Sequence, residues 1–313
     1  MTLDYRFILI CGIAGTLLYS LSLSMPLLGG IISFFTPLPL GYIFLKKDGF
    51  NFYLCFLITV MLIFFIGGKL GVFLYLIQYG VPFFLFFELY GRGINTVKAV
   101  AIAISAVVAV TVLFLLMQNS FNINLAIKTV NDFLNMNFQL VLKSYKSLGL
   151  SDKELATISG NLKTFSFTIT RIMPSLMIMF YGSIFLLNLP VIEKLTKRRF
   201  GNYHLKDFRA PFWLVWFFIV SGFGIFFFKK NSVWWLFLNI FITSSFIYLI
   251  QGFGVVENWF NRLKYSKLMK NFFYILILFS QFLLITIAII GLFDNWFDFR
   301  KIIQSGGTDE SNT

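Results

Sequence analysis

The sequence predicts an all-α integral membrane protein, a polytopic helix bundle of eight or nine transmembrane helices with an outer amphipathic helical hairpin. Hydrophobic residues make up 58% of the 313 residues and charged residues only 12%, whereas a soluble domain carries about 25% charged residues. The mean hydropathy of +0.83 agrees with this composition. A chain with so little polar surface cannot face water on all sides, so we expect the lipid bilayer to be its principal partner.

The number of spans follows from the length of the apolar stretches. A helix needs about 20 residues to cross roughly 30 Å of hydrocarbon. Nine stretches reach or approach this length: about 7–27, 29–45, 50–67, 70–89, 98–117, 168–190, 211–228, 232–255 and 271–293. The second contains Pro37 and Pro39, which remove amide donors and kink a helix, so eight spans is the alternative count.

The distribution of lysine and arginine predicts the orientation, because cytoplasmic loops carry an excess of both. Most of these cations fall in the inside loops when the N-terminus lies in the cytoplasm. The net charge of +13 then fits loops that face an anionic leaflet, and no nucleic acid partner is expected. The sequence therefore predicts a multi-pass protein of the bacterial plasma (inner) membrane with a cytoplasmic N-terminus.

Four regions follow from the order of these stretches. Residues 1–117 form an N-terminal transmembrane bundle of about five spans, and 118–167 form an extracytoplasmic amphipathic helical hairpin. Residues 168–293 form a C-terminal bundle of about four spans. Residues 294–313 form an interfacial aromatic and charged tail with a disordered end.

The hairpin is predicted from two apolar patterns. Between Ile123 and Leu148 the apolar residues recur at steps of three and four, which indicates an amphipathic helix that Gly149 ends. Ser151 begins a second helix, and Glu154 can reach back to it as a capping box. The apolar face of this hairpin would cover either headgroups or the mouth of the bundle.

No catalytic motif is present, so no catalytic residue and no cofactor is predicted, and an enzyme is the least favoured class. Cys11 and Cys55 lie in apolar runs without a CxxC partner, and His204 is the single histidine. Neither a disulfide framework nor a metal site follows from these residues. The spans hold almost no charged residues, which argues against a proton-driven transporter.

Four polar residues are candidates to face a solute: Arg171, Asn188, Gln251 and Gln78. Arg171 lies near the outer end of the sixth span, where it either snorkels to the interface or faces an anionic ligand. The three amides either form interhelical hydrogen bonds or line a pocket, because an unpaired amide in hydrocarbon is costly. The expected solute is a small uncharged or anionic molecule.

Small residues recur every four positions in the first span, at Gly12, Thr16, Ser20 and Ser24. Such a stripe lets another helix approach closely, so that van der Waals contact drives association. The stripe therefore predicts either packing within this protein or a docking face for another membrane subunit.

The tail carries aromatic and charged residues at helical spacing, with Trp296 and Arg300 on one side and Asp294 and Asp298 on another. We expect the helix to continue past the hydrocarbon, with its aromatic rings in lipid and its charges facing water or a neighbouring loop. The alternative is a pair of carboxylates for acid–base chemistry or cation binding. The sequence indicates no facing partner for that chemistry, so the interfacial anchor is favoured.

Several segments resemble the YybS-like family of bacterial membrane proteins, also called domain of unknown function 2232. They are FFTPLPLGYIFLKKDG (34–49), LGLSDKE (148–154) leading to RIMPSLMIM (171–179), YLIQGFGVVENWF (248–260) and GLFDNWFDFRK (291–301). The N-terminal half also distantly resembles the substrate-binding membrane subunits of energy-coupling-factor transporters, whose first helix docks a coupling subunit through small residues. The second resemblance implies a passive binding subunit with ATPase partners.

Two functional hypotheses follow. The first is a transport-related protein, a passive small-solute-binding membrane subunit that works with partner subunits. The second is a non-transporting membrane scaffold or envelope-assembly protein. A polar cavity beneath the hairpin would favour the first, and a core filled by Phe and Leu would favour the second.

Overall fold

The computed structural model describes residues 5–25, 28–46, 49–147, 151–201, 205–228 and 231–301. Every regular element in these ranges is helical. The chain divides into two compact units, one up to Asn202 and one from Tyr203 onward. The four regions predicted from the sequence, with boundaries near 117, 167 and 293, remain predictions.

Unit 1 contains eight α-helices among its described residues. They are α1 Tyr5–Ser24, α2 Leu28–Ser33, α3 Leu38–Lys46, α4 Gly49–Tyr75, α5 Val81–Gly91, α6 Thr96–Gln118, α7 Ile123–Ser147 and α8 Asp152–Thr196. A π turn, Leu76–Gly80, joins α4 to α5.

Unit 2 contains four α-helices among its described residues. They are α9 Leu214–Phe228, α10 Ser232–Arg262, α11 Lys267–Phe279 and α12 Gln281–Phe297. A short 3₁₀ turn, Leu205–Asp207, precedes them.

By length and composition, five helical segments of the described chain could cross a membrane, and six if the bent pair α11–α12 is one span. They are Gly29–Lys46, Gly49–Gly91, Thr96–Gln118, Lys153–Thr196 and Ser232–Arg262. Two shorter apolar helices, Tyr5–Leu21 and Leu214–Phe228, accompany them. The chain is thus an all-helical protein with five to six candidate membrane spans.

The apolar segment Gly49–Gly91 reverses its direction at Gly68, which has φ 61° and ψ −161° within α4. The phenol of Tyr53 before this point donates a 2.5 Å hydrogen bond to Glu88 of α5. The rings of Phe56 and Phe84 lie 5.1 Å apart. A straight helix would separate such residues by tens of ångströms, so Gly49–Gly91 consists of two antiparallel arms that meet at a glycine turn.

The second apolar segment is interrupted, as the prolines in it suggest. Helix α2 ends at Ser33, residues 34–37 form turns, and α3 begins at Leu38. Pro37 has no amide proton to continue the helical ladder. The break leaves backbone carbonyl groups that side chains of other helices must satisfy.

Helix α8 is continuous over 45 residues, which corresponds to roughly 67 Å. The predicted capping box at its start is present, with both Ser151 and Glu154 in their predicted roles. Helix α7 runs antiparallel to the first part of α8: Ser166 donates to Asn131, and Phe138 lies 6.0 Å from Phe165. The predicted stop at Gly149 lies outside the described residues.

Phenylalanine rings fill the core of unit 1. Phe83 stacks on Phe185 at 4.2 Å, and Phe86 contacts Phe200 at 5.5 Å. All four rings are at most 2% exposed. Phe200 follows α8 and is held there because Thr96 donates a 2.9 Å hydrogen bond to its carbonyl, so the loop after α8 closes one end of the bundle.

Helices α10 and α12 of unit 2 approach each other through two glycines. A Cβ atom on Gly291 would lie only 1.9 Å from the carbonyl oxygen of Tyr248, and one on Gly252 only 2.0 Å from that of Ile287. The two backbones therefore touch directly, which only a residue without a side chain permits.

The predicted span 271–293 is divided into two helices that meet at an angle of 104°. Ser280 has φ −108° and ψ 107°, so it is extended between α11 and α12. Its amide donates to Ile277 of α11, and its hydroxyl accepts from the amide of Leu283 in α12. One serine thus ends one helix and begins the next, which apolar periodicity alone does not reveal.

We expect Gly291→Ala to destabilise unit 2, because the added methyl group forces α10 and α12 apart. Overpacking of this kind typically costs about 1–3 kcal/mol, and thermal unfolding of the purified chain in detergent measures it. Gly222→Ala in α9 is the matched control, since its Cβ would meet Phe241 at an ordinary 3.7 Å. Equal unfolding temperatures for the two variants would contradict the close approach.

Candidate functional site

Six buried polar side chains of unit 1 lie on elements that pack together, and we call them the tyrosine layer. Its members are all at most 4% exposed, and they come from α1, the α2–α3 segment, α4, the π turn and α8: Tyr19, Ser33, Thr36, Tyr75, Tyr79 and Asn188. Buried polar groups in an apolar bundle require partners, so the contacts of this layer indicate its role.

Tyrosine rings hold the layer together on one side. Tyr19 lies 5.4 Å from Tyr75 and 6.3 Å from Tyr79, in both cases edge to face. The phenol of Tyr19 donates to the carbonyl of Gly71 at 3.0 Å. The hydroxyl groups of Tyr79 and Ser33 lie 3.0 Å apart, so the layer connects α1 and the π turn to the end of α2.

Asn188 holds the other side of the layer. Its amide nitrogen donates to the carbonyl of Phe34 at 2.8 Å and to that of Ile184 in its own helix at 2.8 Å. The first bond satisfies a carbonyl that the break between α2 and α3 leaves free. Asn188, a residue predicted to face a solute, therefore lies at the interrupted helix.

Three atoms of the tyrosine layer have no hydrogen-bond partner among the described residues: Thr36 Oγ1, Tyr75 Oη and Asn188 Oδ1. A buried polar atom without a partner costs about 1–3 kcal/mol. Two of the three are hydroxyl groups, which both donate and accept, and the third accepts only. Each of the three atoms offers a hydrogen bond without a net charge.

The backbone beside the layer is irregular at two places. The π turn Leu76–Gly80 carries Tyr79 and Gln78, and its Ile77 carbonyl accepts from the phenol of Tyr181 at 3.0 Å. Single π turns inside α-helices occur often at functional sites, and broken helices in membranes often line binding sites. Gln78 itself is half-buried.

A second buried group lies in unit 2 and consists of Gln251, Asp294 and Arg300, which we call the Asp294 cluster. Asp294 and Arg300 are 2% and 5% exposed, and Arg300 Nε lies 3.2 Å from Asp294 Oδ2. Gln251 donates to the same Asp294 oxygen at 3.1 Å and accepts from the amide of Ala210 at 2.8 Å. The group links α10, α12 and the segment before α9.

Arg300 uses its remaining donors on the backbone. It donates to the carbonyl groups of Lys206 at 2.6 Å and Phe208 at 2.7 Å. Burial lowers the pKa of Arg300, and the charge of Asp294 opposes that shift. The cluster is therefore a structural brace in which one cation ties the segment just after α12 to the loop before α9.

A more exposed ion group adjoins the cluster. Arg209 lies 2.7 Å and Lys301 3.1 Å from the carboxylate of Asp298. Burial raises the pKa of Asp298, but the hydrogen bonds and charges of Arg209 and Lys301 outweigh it, so the pKa lies below its usual range. The tail charges thus face partners within unit 2, whereas the aromatic rings of Phe293, Trp296 and Phe297 are 42%, 48% and 56% exposed, as those of an interfacial anchor would be.

The remaining predicted residues are placed as follows. Arg171 folds back onto its own helix, with its guanidinium 3.5 Å from the Phe167 ring centre and a hydrogen bond to the Phe167 carbonyl. The stripe on α1 divides: Gly12 and Thr16 are buried, Ser20 is half-buried and Ser24 is exposed.

The buried half of the stripe packs inside unit 1, since a Cβ on Gly12 would lie 2.7 Å from the side chain of Ile58 in α4. A separate apolar groove on unit 1 measures about 150 Å³ and lies between the π turn and α6, with Ile77, Val107 and Phe114 in its wall. Its lining is almost wholly apolar, which suits an acyl chain better than a polar solute.

Among the described residues, no three His, Cys, Asp or Glu side chains are grouped so that they could hold a metal ion. The sequence identifies Asn188 and Gln251 as amides that need partners, but it does not single out Thr36 or Tyr75. A hydroxyl in an apolar run is too common to stand out. The proximity of Pro37 to Thr36 was the available signal.

The two segments YLIQGFGVVENWF and GLFDNWFDFRK meet in this fold, because one carries Gln251 and Gly252 and the other carries Gly291, Asp294 and Arg300. A family model described as "Predicted membrane protein (DUF2232)" matches residues 13–295. The chain belongs to this family. No curated protein and no solved structure matches it.

We expect Arg300→Gln to destabilise the protein by about 3–5 kcal/mol, because it leaves the Asp294 carboxylate buried without its cation. Thermal unfolding in detergent measures the loss, and Asp294→Asn combined with Arg300→Gln should recover part of it. Lys301→Gln is the control in the same tail, because its side chain is 74% exposed and exposed pairs contribute about 0–1 kcal/mol. Similar losses for both single variants would contradict a buried brace.

Proposed function

We propose that this chain is a transport-type membrane protein, a passive subunit that binds a small uncharged solute in the tyrosine layer of unit 1. The supporting observation is the conjunction of an interrupted helix, a π turn and three buried polar atoms without partners among the described residues. A bound solute would supply the missing hydrogen bonds and remove the penalty of about 1–3 kcal/mol for each unpaired atom.

The chemistry of the layer favours an uncharged solute over an anionic one. Its six side chains carry hydroxyl and amide groups, and Arg171, the predicted partner of an anion, is engaged with Phe167. A charged solute placed among neutral groups in low dielectric would lose its hydration without gaining a counter-ion. Gln251 lies in unit 2 and belongs to the Asp294 cluster, so it is not part of this proposed site.

We further propose a bacterial plasma membrane location with eight or nine spans and a cytoplasmic N-terminus. Contacts in unit 1 support this orientation, because they bring loops that carry lysine and arginine together. Arg198 donates to the Leu45 carbonyl, and Thr96 donates to the Phe200 carbonyl. Three basic loops thus gather at one end of the unit. The α7–α8 hairpin follows the opposite end of α6, which would place it outside the cell.

The proposed site can be tested with two tyrosine variants. Tyr75→Phe removes a hydroxyl without a partner among the described residues, so we expect the solute-free protein to be equally or more stable. Native mass spectrometry of gently purified protein should find a retained small molecule in the unsubstituted chain and lose it in Tyr75→Phe.

Tyr181→Phe is the matched control, since its hydroxyl is already bonded to the Ile77 carbonyl. This variant should lose stability but keep the retained molecule. A small molecule held equally by both variants would refute binding in the tyrosine layer.

The second candidate function is a non-transporting scaffold or envelope-assembly protein. The aromatic packing of unit 1 favours it, because rings such as Phe83, Phe86 and Phe185 fill the core as they would in a protein that only holds its shape. The absence of any retained small molecule in the unsubstituted protein, together with a stabilising Tyr75→Phe, would support this candidate instead.

Partner subunits are the remaining part of the proposal. With Gly12 and Thr16 buried inside unit 1, the part of the α1 stripe available to another helix is Ser20 and Ser24. We expect Ser20→Phe to abolish co-purification of a membrane partner, because a large ring prevents close helix approach. Ile10→Phe, at a position of α1 that is 61% exposed, is the control, and identical partners for both would count against docking at the stripe.

A further inference from the structure

Helix α11 has the length and direction of a surface helix and not those of a span. Its 13 residues reach only about 20 Å, which is too short for roughly 30 Å of hydrocarbon. Helix α12 has 17 residues, at the lower limit for a crossing. The angle of 104° between them turns α11 nearly perpendicular to α12.

Three faces are distinguishable around α11. The first packs on unit 2 and contains Ile277, which is 6% exposed, with Phe273 and Tyr274 packed beside it. The tyrosine ring lies 5.7 Å from that of Phe260 in α10. This face fixes the rotation of α11 about its own axis.

The second face is apolar and exposed. Leu268 is 83% exposed, Phe272 59%, Ile275 56% and Phe279 89%. At 100° per residue these four side chains project within about 60° of one another. A contiguous apolar surface of this kind in water would be unfavourable, so it requires an apolar environment.

The third face is polar in the first turns of the helix, whereas Leu278, 63% exposed, lies at the same angle near the end of α11. Lys267 and Asn271 lie about 40° apart on the helix, between the packed face and the exposed apolar face. Both side chains are exposed. Lys264 precedes the helix and is exposed as well. Cations next to an exposed apolar face are typical of helices that lie in the plane of an anionic membrane surface.

We propose that α11 lies in the membrane surface, with Leu268, Phe272, Ile275 and Phe279 in the acyl chains and Lys264 and Lys267 at the lipid phosphates. Continuity with α12 supports a lipid surface as the occupant, because Ser280 alone separates α11 from the apolar α12, which would enter the bilayer there. The inference does not depend on solute binding in unit 1. In this proposal the last span does not begin at 271. Helix α11 lies in the membrane plane, and α12 alone crosses the bilayer.

The test uses the full chain with single spin labels in vesicles of phosphatidylcholine and phosphatidylglycerol. Labels at Leu268→Cys, Phe272→Cys and Phe279→Cys should all lose collisions with a water-soluble nickel chelate and share one shallow depth. Labels at Lys267→Cys and Asn271→Cys should keep those collisions. Cys11 and Cys55 are buried, and labelling of the unsubstituted chain measures their background.

Helix α12 provides the matched control through its exposed residues Ile285, Ile289 and Phe293. Cysteine variants there should show a depth that passes through a maximum along the helix. A depth that increases steadily from 268 to 279 would overturn the proposal in favour of a broken span or a re-entrant hairpin. Collisions with the chelate at all α11 positions would overturn it as well, since the helix would then lie in water.

Discussion

Backbone hydrogen bonding in a medium without water governs this structure. An unpaired carbonyl or amide in hydrocarbon costs several kcal/mol, and yet the helices of unit 1 are interrupted or distorted at three places within apolar sequence. A side chain from another element covers a carbonyl at each: Asn188 at Phe34, Tyr19 at Gly71 and Tyr181 at Ile77. Polar residues in the apolar runs therefore serve first as hydrogen-bond donors to the carbonyl groups of irregular backbone.

The same principle extends to unit 2, where the covering group is charged. Arg300 satisfies two loop carbonyls, and its charge is balanced by Asp294, which Gln251 in turn supports. Such a buried pair adds little stability over a well-packed apolar alternative, but removing either partner strongly destabilises the folded protein. The arrangement thus fixes the segment just after α12 near the close contact of Gly252 and Gly291.

The membrane class and most helices could be predicted from the sequence, because apolar length and periodicity are local properties. The turn at Gly68 and the capping box at Ser151 were predictable for the same reason, since their signals lie within four residues. The burial of Asp294 and Arg300 was not predictable, because Gln251 and the carbonyl groups at 206 and 208 come from distant parts of the chain. The bend at Ser280 was missed because apolar residues continue on both sides of it.

The length of α8 has a mechanical consequence. One part of this helix contacts α7 at Ser166, and a later part carries Asn188. Pro174 lies between them and has no amide proton, so one backbone hydrogen bond of the helix is missing there. Pro174 is therefore the point at which α8 would bend most easily, and any such bend would reach the interrupted segment through several contacts, because Phe180 lies 5.6 Å from Phe34 and Asn188 donates to the Phe34 carbonyl.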